Sequence, residues 1–292
     1  MKGLIVTADD FGAAVEVNAA VELAHREGIL TAASLMVMAP AAADAVSRAK
    51  RLPALRVGLH LVLTEGRPVL SASAVPNLVD ETGAFRSDLV AFGCALMCNR
   101  QARRQLAAEI AAQFESFRAT GLALDHCNAH KHFHLHPVIG SLVVAVGEHF
   151  GLHSVRVPLE PIAPLAPLAK RYSIEAMLMA PFMSQLRRKV VNSGMHMPDQ
   201  AFGLRWSGHM TKARLLHLLG RLPEGLSEIY LHPATGPFLG HAKGYHYQSE
   251  LAALIDPDVI TACREASFTM GGYADFPSRV TQPCLNAERN AA

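Results

Sequence analysis

Long apolar runs are missing. No stretch approaches the roughly 18–20 residues that a membrane-spanning helix needs, so a spanning segment is excluded. The opening MKGLIVTADDFG carries one Lys and a short apolar run, too short for a secretory signal, and reads as a strand. Cysteine is sparse. Cys94, Cys98, Cys127, Cys263 and Cys284 are odd in number and form no CxxC pair, which excludes a disulfide framework and a cysteine-based zinc site. A reducing, cytoplasmic compartment is therefore the expectation. No GxGxxG or Walker A pattern follows an apolar run, and no GxSxG elbow occurs, which removes the usual signals for nucleotide binding and for a serine nucleophile. Charge of one sign is lacking too: 27 Lys+Arg stand against 25 Asp+Glu, so no nucleic-acid partner is expected. At 18 % charged and 50 % hydrophobic, the chain is not intrinsically disordered.

Histidine is what the chain has in excess, fifteen in all and unevenly spread. Around these residues, short apolar runs alternate with helical periodicity. Gly3–Thr7 reads as a strand, followed by Val17, Ala20, Val21 and Ala24 at helical spacing and closed by Gly28. Strands are then expected at Leu30–Val37, Arg56–Leu63, Leu122–Cys127, His153–Val157 and Glu228–His232. Helices are expected at Ala41–Lys50, at 102–119, at Val138–Phe150 and near Thr211–Leu219. Such alternation predicts a parallel sheet covered on both faces. At 292 residues it favours a (β/α) TIM-like barrel in one domain, 1–277, with a flexible tail over 278–292.

Two regions break the rhythm. Residues 66–100 form a Pro/Ser-rich loop and an apolar stretch, expected to cross one barrel face. Residues 163–215, expected as an insertion, hold Lys170, Arg171, Arg187, Arg188, Lys189, Arg205, Lys212 and Arg214 against Glu175 and Asp199. Met177, Met179, Met183, Met195, Met197 and Met210 fall there as well. The segment reads as Met-packed core with a solvated basic rim, or as an amphipathic surface that rests on an anionic membrane or grips a lipid-linked substrate.

Four polar constellations follow predicted strands, where an α/β barrel carries its active site. Asp9 and Asp10 in TADDFG cannot point the same way on an extended backbone, so one could hold a metal while the other faces a nucleophile; a helix-capping Asp would look the same. His60 in GLHLVLTEG is a ligand or an ordinary core histidine. The run Asp125–Pro137 has five His in eleven residues, and His130, His132, His134 and His136 alternate, which on an extended backbone puts them on one face. Ordinary packing rarely gathers so many imidazoles, so a metal or catalytic site is indicated here, with the surplus lining the pocket or orienting ligands. His232 in EIYLHPATG ends a strand. A carboxylate with two imidazoles can bind a divalent metal and leave positions open, and a further carboxylate and histidine supply base and acid for metal-assisted hydrolysis.

TADDFG, GLHLVLTEG, NAHKHFHLHP and EIYLHPATG, in that order, resemble the YdjC-like family of carbohydrate deacetylases. With PDQAFGLRWSGHMT (198–211), they are most similar to its hopanoid-biosynthesis branch, the HpnK type. The resemblance implies a polysaccharide-deacetylase-like barrel with a metal on Asp10, His60 and His130, Asp9 as general base and His232 as general acid. His132, His134, Arg156 and Trp206 would bind substrate or support the site, and Arg156 could act on the Asp9 charge. The implied reaction is hydrolysis of an N-acetyl group on an amino sugar; in the hopanoid branch the substrate is an amphiphilic N-acetylglucosaminyl hopanoid. A soluble chitooligosaccharide deacetylase and a non-catalytic sugar- or lipid-binding protein are the alternatives. Two imidazoles and a carboxylate suit Zn2+ best, with Mg2+, Ni2+ or Co2+ also compatible. An amphiphilic substrate implies peripheral contact with the inner membrane face.

Overall fold

A computed structural model of the chain describes residues 2–168 and 174–276. Lys170, Arg171 and the tail 278–292 lie outside the described residues, as do the side chains of Glu175 and Met177. The chain runs β1 (Lys2–Phe11), α1 (Val15–Glu27), β2 (Ala32–Leu35), α2 (Ala42–Lys50), β3 (Arg56–Leu61), α3 (Leu89–Cys98), α4 (Arg100–Ala119) and β4 (Cys127–Ala129). It continues through α5 (Pro137–His149), α6 (Ile174–Asn192), β5 (Gln200–Phe202), α7 (Lys212–Leu219), β6 (Gly225–Leu231), α8 (Tyr247–Leu254), α9 (Pro257–Glu265) and β7 (Thr269–Met270).

All ladder pairings are parallel, in the order β4-β3-β2-β1-β6-β5, with β7 on the first residues of β1. The expected TIM-like barrel is met as a curled parallel sheet. The regular ladder ends at β4 on one side and β5 on the other. Across that gap the expected strand His153–Val157 makes only single bridges, Val155 to Cys127 and Ser154 to His196. Leu122–Cys127 is also displaced, because pairing to β3 begins at Cys127, where the inward polar residues start.

Period-2 alternation sorts the strands into an outer and an inner face. Leu4, Val6 and Ala8 of β1, Val57, Leu59 and Leu61 of β3, and Ile229 and Leu231 of β6 enter the main core against the helices. The opposite faces turn inward, where Ile5, Ala32 and Tyr273 form a small separate cluster. Above it come buried polar residues: Thr7, Asp9, Ser34, His60, Asn128 and Glu228. An apolar barrel filling would have stacked Val, Ile and Leu at these levels; here the interior is polar.

The segment 163–215 is built into the fold as regular structure. It supplies α6 and the sheet strand β5, which pairs with β6 from Gln200↔Ser227 to Phe202↔Ile229. Met183, Met195 and Met210 are buried in the core, while Arg187 and Arg188 stay exposed on α6. The 62–88 loop is held by one polar face of α4. Gln105 accepts from the Asn77 N–H, Glu109 from Val69 and Leu70, and Gln113 from Val62. No helix among the described residues is long and apolar enough to cross a membrane.

Candidate metal and catalytic centre

Register carries the site residues to one level. β1 and β6 pair up to Ala8↔Leu231, so Asp9 and His232 leave neighbouring strands side by side. His60 and Asn128 are register partners on β3 and β4. Asp9 and Asp10 sit in an irregularity of the β1–β2 ladder between Ala8 and Phe11, and Asp10 has φ 61, left-handed backbone. A bulge of this kind re-aims side chains. Asp9 turns into the buried interior while Asp10 lines the cleft. Neither caps α1, whose N-cap is Ala14 without a side-chain bond.

The ligand atoms of Asp10, His60 and His130 all lie within 4.8 Å of one another. Asp10 Oδ1 is 3.3 Å from His60 Nε2 and 3.1 Å from His130 Nδ1. His60 Nε2 is buried and has no hydrogen-bond partner. An orphaned imidazole nitrogen aimed at a carboxylate oxygen, with a second imidazole beside it, fits a divalent metal bound by N, N and O donors. Burial alone would raise the Asp10 carboxyl, but the hydrogen bond with His130 outweighs it and holds it well below the usual range. Burial would lower His130, yet Asp10 and Glu65 raise it.

Asp9 is gripped from two sides. Arg156 Nη1 donates to Oδ2 at 2.5 Å and Asn128 Nδ2 to Oδ1 at 3.0 Å. Burial favours its neutral form, but the Arg156 guanidinium prevails and keeps it ionised far below the ordinary carboxylate range. Arg156 also donates to both oxygens of Glu228, which accepts from Thr7 and Tyr273 as well. His232 is anchored by its own backbone N–H to Glu250 at 2.6 Å, and its ring lies edge-on to Tyr245.

Asp10, His60, His130 and His232 open onto one cavity of about 830 Å³. Phe238, Tyr245 and Tyr247 line it too, as a cluster with ring centroids 5.0 and 5.6 Å apart. Of the remaining sequence candidates, only His132 lines the cavity; its Nε2 pairs with the Tyr230 hydroxyl at 3.0 Å. His134 is buried, bonded to the Arg156 carbonyl. Arg156 reaches the site through Asp9 and not the cavity. Trp206 is core, capped by the Arg214 guanidinium, and does not line the cavity.

The alternating histidines do not share a face. His130–Leu135 is a tight 3-10 segment with Lys131 and His132 in left-handed conformation (φ 54 and 53), which scatters the four rings. Sequence reasoning assigned no role to Asn128, Glu228, Glu65 or Glu250. Glu228 carried a signal: Glu228 and Tyr230 alternate along β6 and so share a face, with His232 following directly after its end.

The family description "YdjC-like protein" matches residues 3–265. A carbohydrate deacetylase of Geobacillus stearothermophilus is 32 % identical over 276 residues, 93 % of this chain and 97 % of that protein. One from Vibrio cholerae is 31 % identical, covering 85 % of this chain and 84 % of its own length. A crystal structure from Enterococcus faecalis V583, of a protein named for cellobiose-phosphate cleavage, is similar with TM-score 0.75 and 26 % identity, covering 94 % of this chain and 98 % of that one.

Proposed function

Since the chain belongs to the YdjC-like family, whose relatives here are carbohydrate deacetylases, we propose that it hydrolyses the N-acetyl group of an amino sugar with the help of a divalent metal, Zn2+ by its donor set. One observation carries the reading. Asp10, His60 and His130 gather at a cavity that His232 also lines, and Asp9 stands on the neighbouring buried face. A metal held by those three residues supplies Lewis-acid polarisation of a water and of the acetamide carbonyl.

The remaining chemistry belongs to the chain. Asp9, kept ionised by Arg156, accepts the proton of the attacking water. Arg156 and Asn128 hold the two oxygens of that base in place before substrate arrives. His232 delivers a proton to the departing amine, giving acetate and a free amino sugar. Phe238, Tyr245 and Tyr247 offer apolar faces for the sugar ring.

The substrate we assign is an N-acetylglucosaminyl hopanoid, a sugar carried on a bulky apolar body. Its support lies at the cavity mouth, where Leu239 is fully exposed and Met38 is 49 % exposed. Leu178 and Phe182 are likewise exposed on α6, the helix that also carries the exposed Arg187 and Arg188, a combination suited to peripheral membrane contact. Acetate release from an N-acetylglucosaminyl lipid and from diacetylchitobiose, with Asp9→Asn and His232→Ala as controls, tests the assignment. Release from the lipid substrate in preference supports it, and release from the soluble sugar in preference makes the chain a chitooligosaccharide deacetylase. No release from either with metal loaded leaves only a binding protein.

A further inference from the structure

We propose that Asn128 fixes the tautomer of His60, placing the ring proton on Nδ1 so that Nε2 keeps its lone pair for a metal. The inference deepens the deacetylase reading by adding a positioning residue to it. It rests on that reading for the metal's use in catalysis, whereas the position of the proton stands on hydrogen bonds alone.

Asn128 lies entirely buried between three polar partners. Its Nδ2 is 3.0 Å from Asp9 Oδ1 and 3.0 Å from Ser34 Oγ, and its Oδ1 is 2.6 Å from His60 Nδ1. The Asp9 carboxylate, paired with Arg156, can only accept. The amide nitrogen must therefore face Asp9, and the amide oxygen must face His60. An amide oxygen can only accept, so His60 Nδ1 carries the hydrogen. In a neutral imidazole the other nitrogen is then the unprotonated one. That nitrogen is the orphaned Nε2, 3.3 Å from Asp10 Oδ1. Two acceptors face each other there, an arrangement that a cation between them resolves.

The same orientation is reached from the far end. Asp125 accepts from the backbone N–H groups of Tyr273 and Ala274 and faces His126 Nδ1 at 2.9 Å. His126 Nδ1–H thus donates to Asp125, and His126 Nε2 accepts from the Ser34 hydroxyl at 2.9 Å. Ser34 has then spent its proton and accepts from Asn128 Nδ2–H. Both ends of the chain Asp125–His126–Ser34–Asn128–His60 agree on which way the amide points. Gly58 makes room for His126 in this chain, since a Cβ at that position would lie 2.5 Å from the His126 ring.

The test uses the metal-free full-length protein labelled with 15N-histidine, with His60 assigned by its loss in His60→Gln. Long-range 1H–15N spectra are expected to show the wild-type ring as the Nδ1–H form. Asn128→Asp keeps an acceptor toward His60 and retains that form, while Asn128→Ala loses it. Zn2+ affinity, measured by competition with a chromophoric chelator, is expected to fall about 10- to 100-fold in Asn128→Ala and only a few-fold in Asn128→Asp. An Nε2–H ring in the wild type overturns the proposal, as does an Asn128→Ala protein with unchanged tautomer and affinity. Wild-type protein that binds no Zn2+ overturns the metal-dependent mechanism, while the metal-free spectra still decide the role of Asn128.

Discussion

Arg156 and Asp9 form an ion pair at 2.5 Å in which neither partner has meaningful contact with solvent. The same guanidinium holds Glu228 at 2.7 Å, so one cation bridges two buried carboxylates. A pair at this depth is costly to build and costlier to break, since removing one partner strands the others. Arg156→Met is expected to lose about 3–5 kcal/mol of unfolding free energy in urea titrations. Adding Glu228→Gln to Arg156→Met should cost less than the two changes summed, because the second substitution removes a charge that the first left unpaired.

Metal binding is expected to separate histidines that the sequence places six residues apart. His130 faces Asp10, whereas His136 is the N-cap residue of α5, beside Phe133, and does not line the cavity. His130→Ala should lose the bound metal and His136→Ala should keep it, as read by metal analysis of the purified proteins. Zn2+ at a hundredfold excess over its Kd should stabilise the wild type by about 2.7 kcal/mol and leave His130→Ala unmoved in a thermal melt.

His134 makes stability depend on pH. Burial pushes its imidazole down to about 4 from an ordinary 6.5, outweighing the bond to the Arg156 carbonyl. Between those values the unfolded chain binds a proton that the folded chain refuses. Stability therefore rises with pH across the window, and it is lost as pH falls from 6.5 towards 4. The contribution is on the order of 3 kcal/mol. His134→Gln, which cannot titrate, should flatten the pH dependence of the urea midpoint over that range while lowering stability above it.

The apolar mouth should matter for one substrate and not the other. Leu239→Ser together with Met38→Ser is expected to slow deacetylation of a lipid-linked sugar several-fold and leave diacetylchitobiose turnover unchanged. Charge reversal of Arg187, Arg188 and Lys189 should weaken flotation with anionic liposomes. Unchanged flotation would remove α6 from the membrane-contact reading.

What the sequence made legible was the set of strand ends. TADDFG, the His60 strand, the histidine run and the His232 strand do converge, because parallel strands in register deliver their C-terminal residues to one rim. What it concealed depended on backbone torsions and on long-range partners. Nothing about Lys131 and His132 announces a left-handed conformation, so the alternation read as one face when the chain in fact coils. Asn128 sat in plain view between two histidines. Its role is set by Asp9 and Ser34, 119 and 94 residues away, and no local pattern encodes that. The methionines of 163–215 look alike in sequence, and only packing shows Met210 fully buried in the core.

The buried polar network has a consequence for the order in which the chain folds. Thr7 meets Glu228 across 221 positions, Arg156 meets Asp9 across 147, and Ala274 closes on Asp125 across 149. Contacts of such separation form late, after loop closure has been met by other interactions. During synthesis the first strand therefore emerges with Thr7 and Asp9 long before their partners exist. The polar interior is a product of the whole chain, and a nascent chain that has not yet reached residue 156 carries Asp9 without the guanidinium that pairs with it in the finished protein.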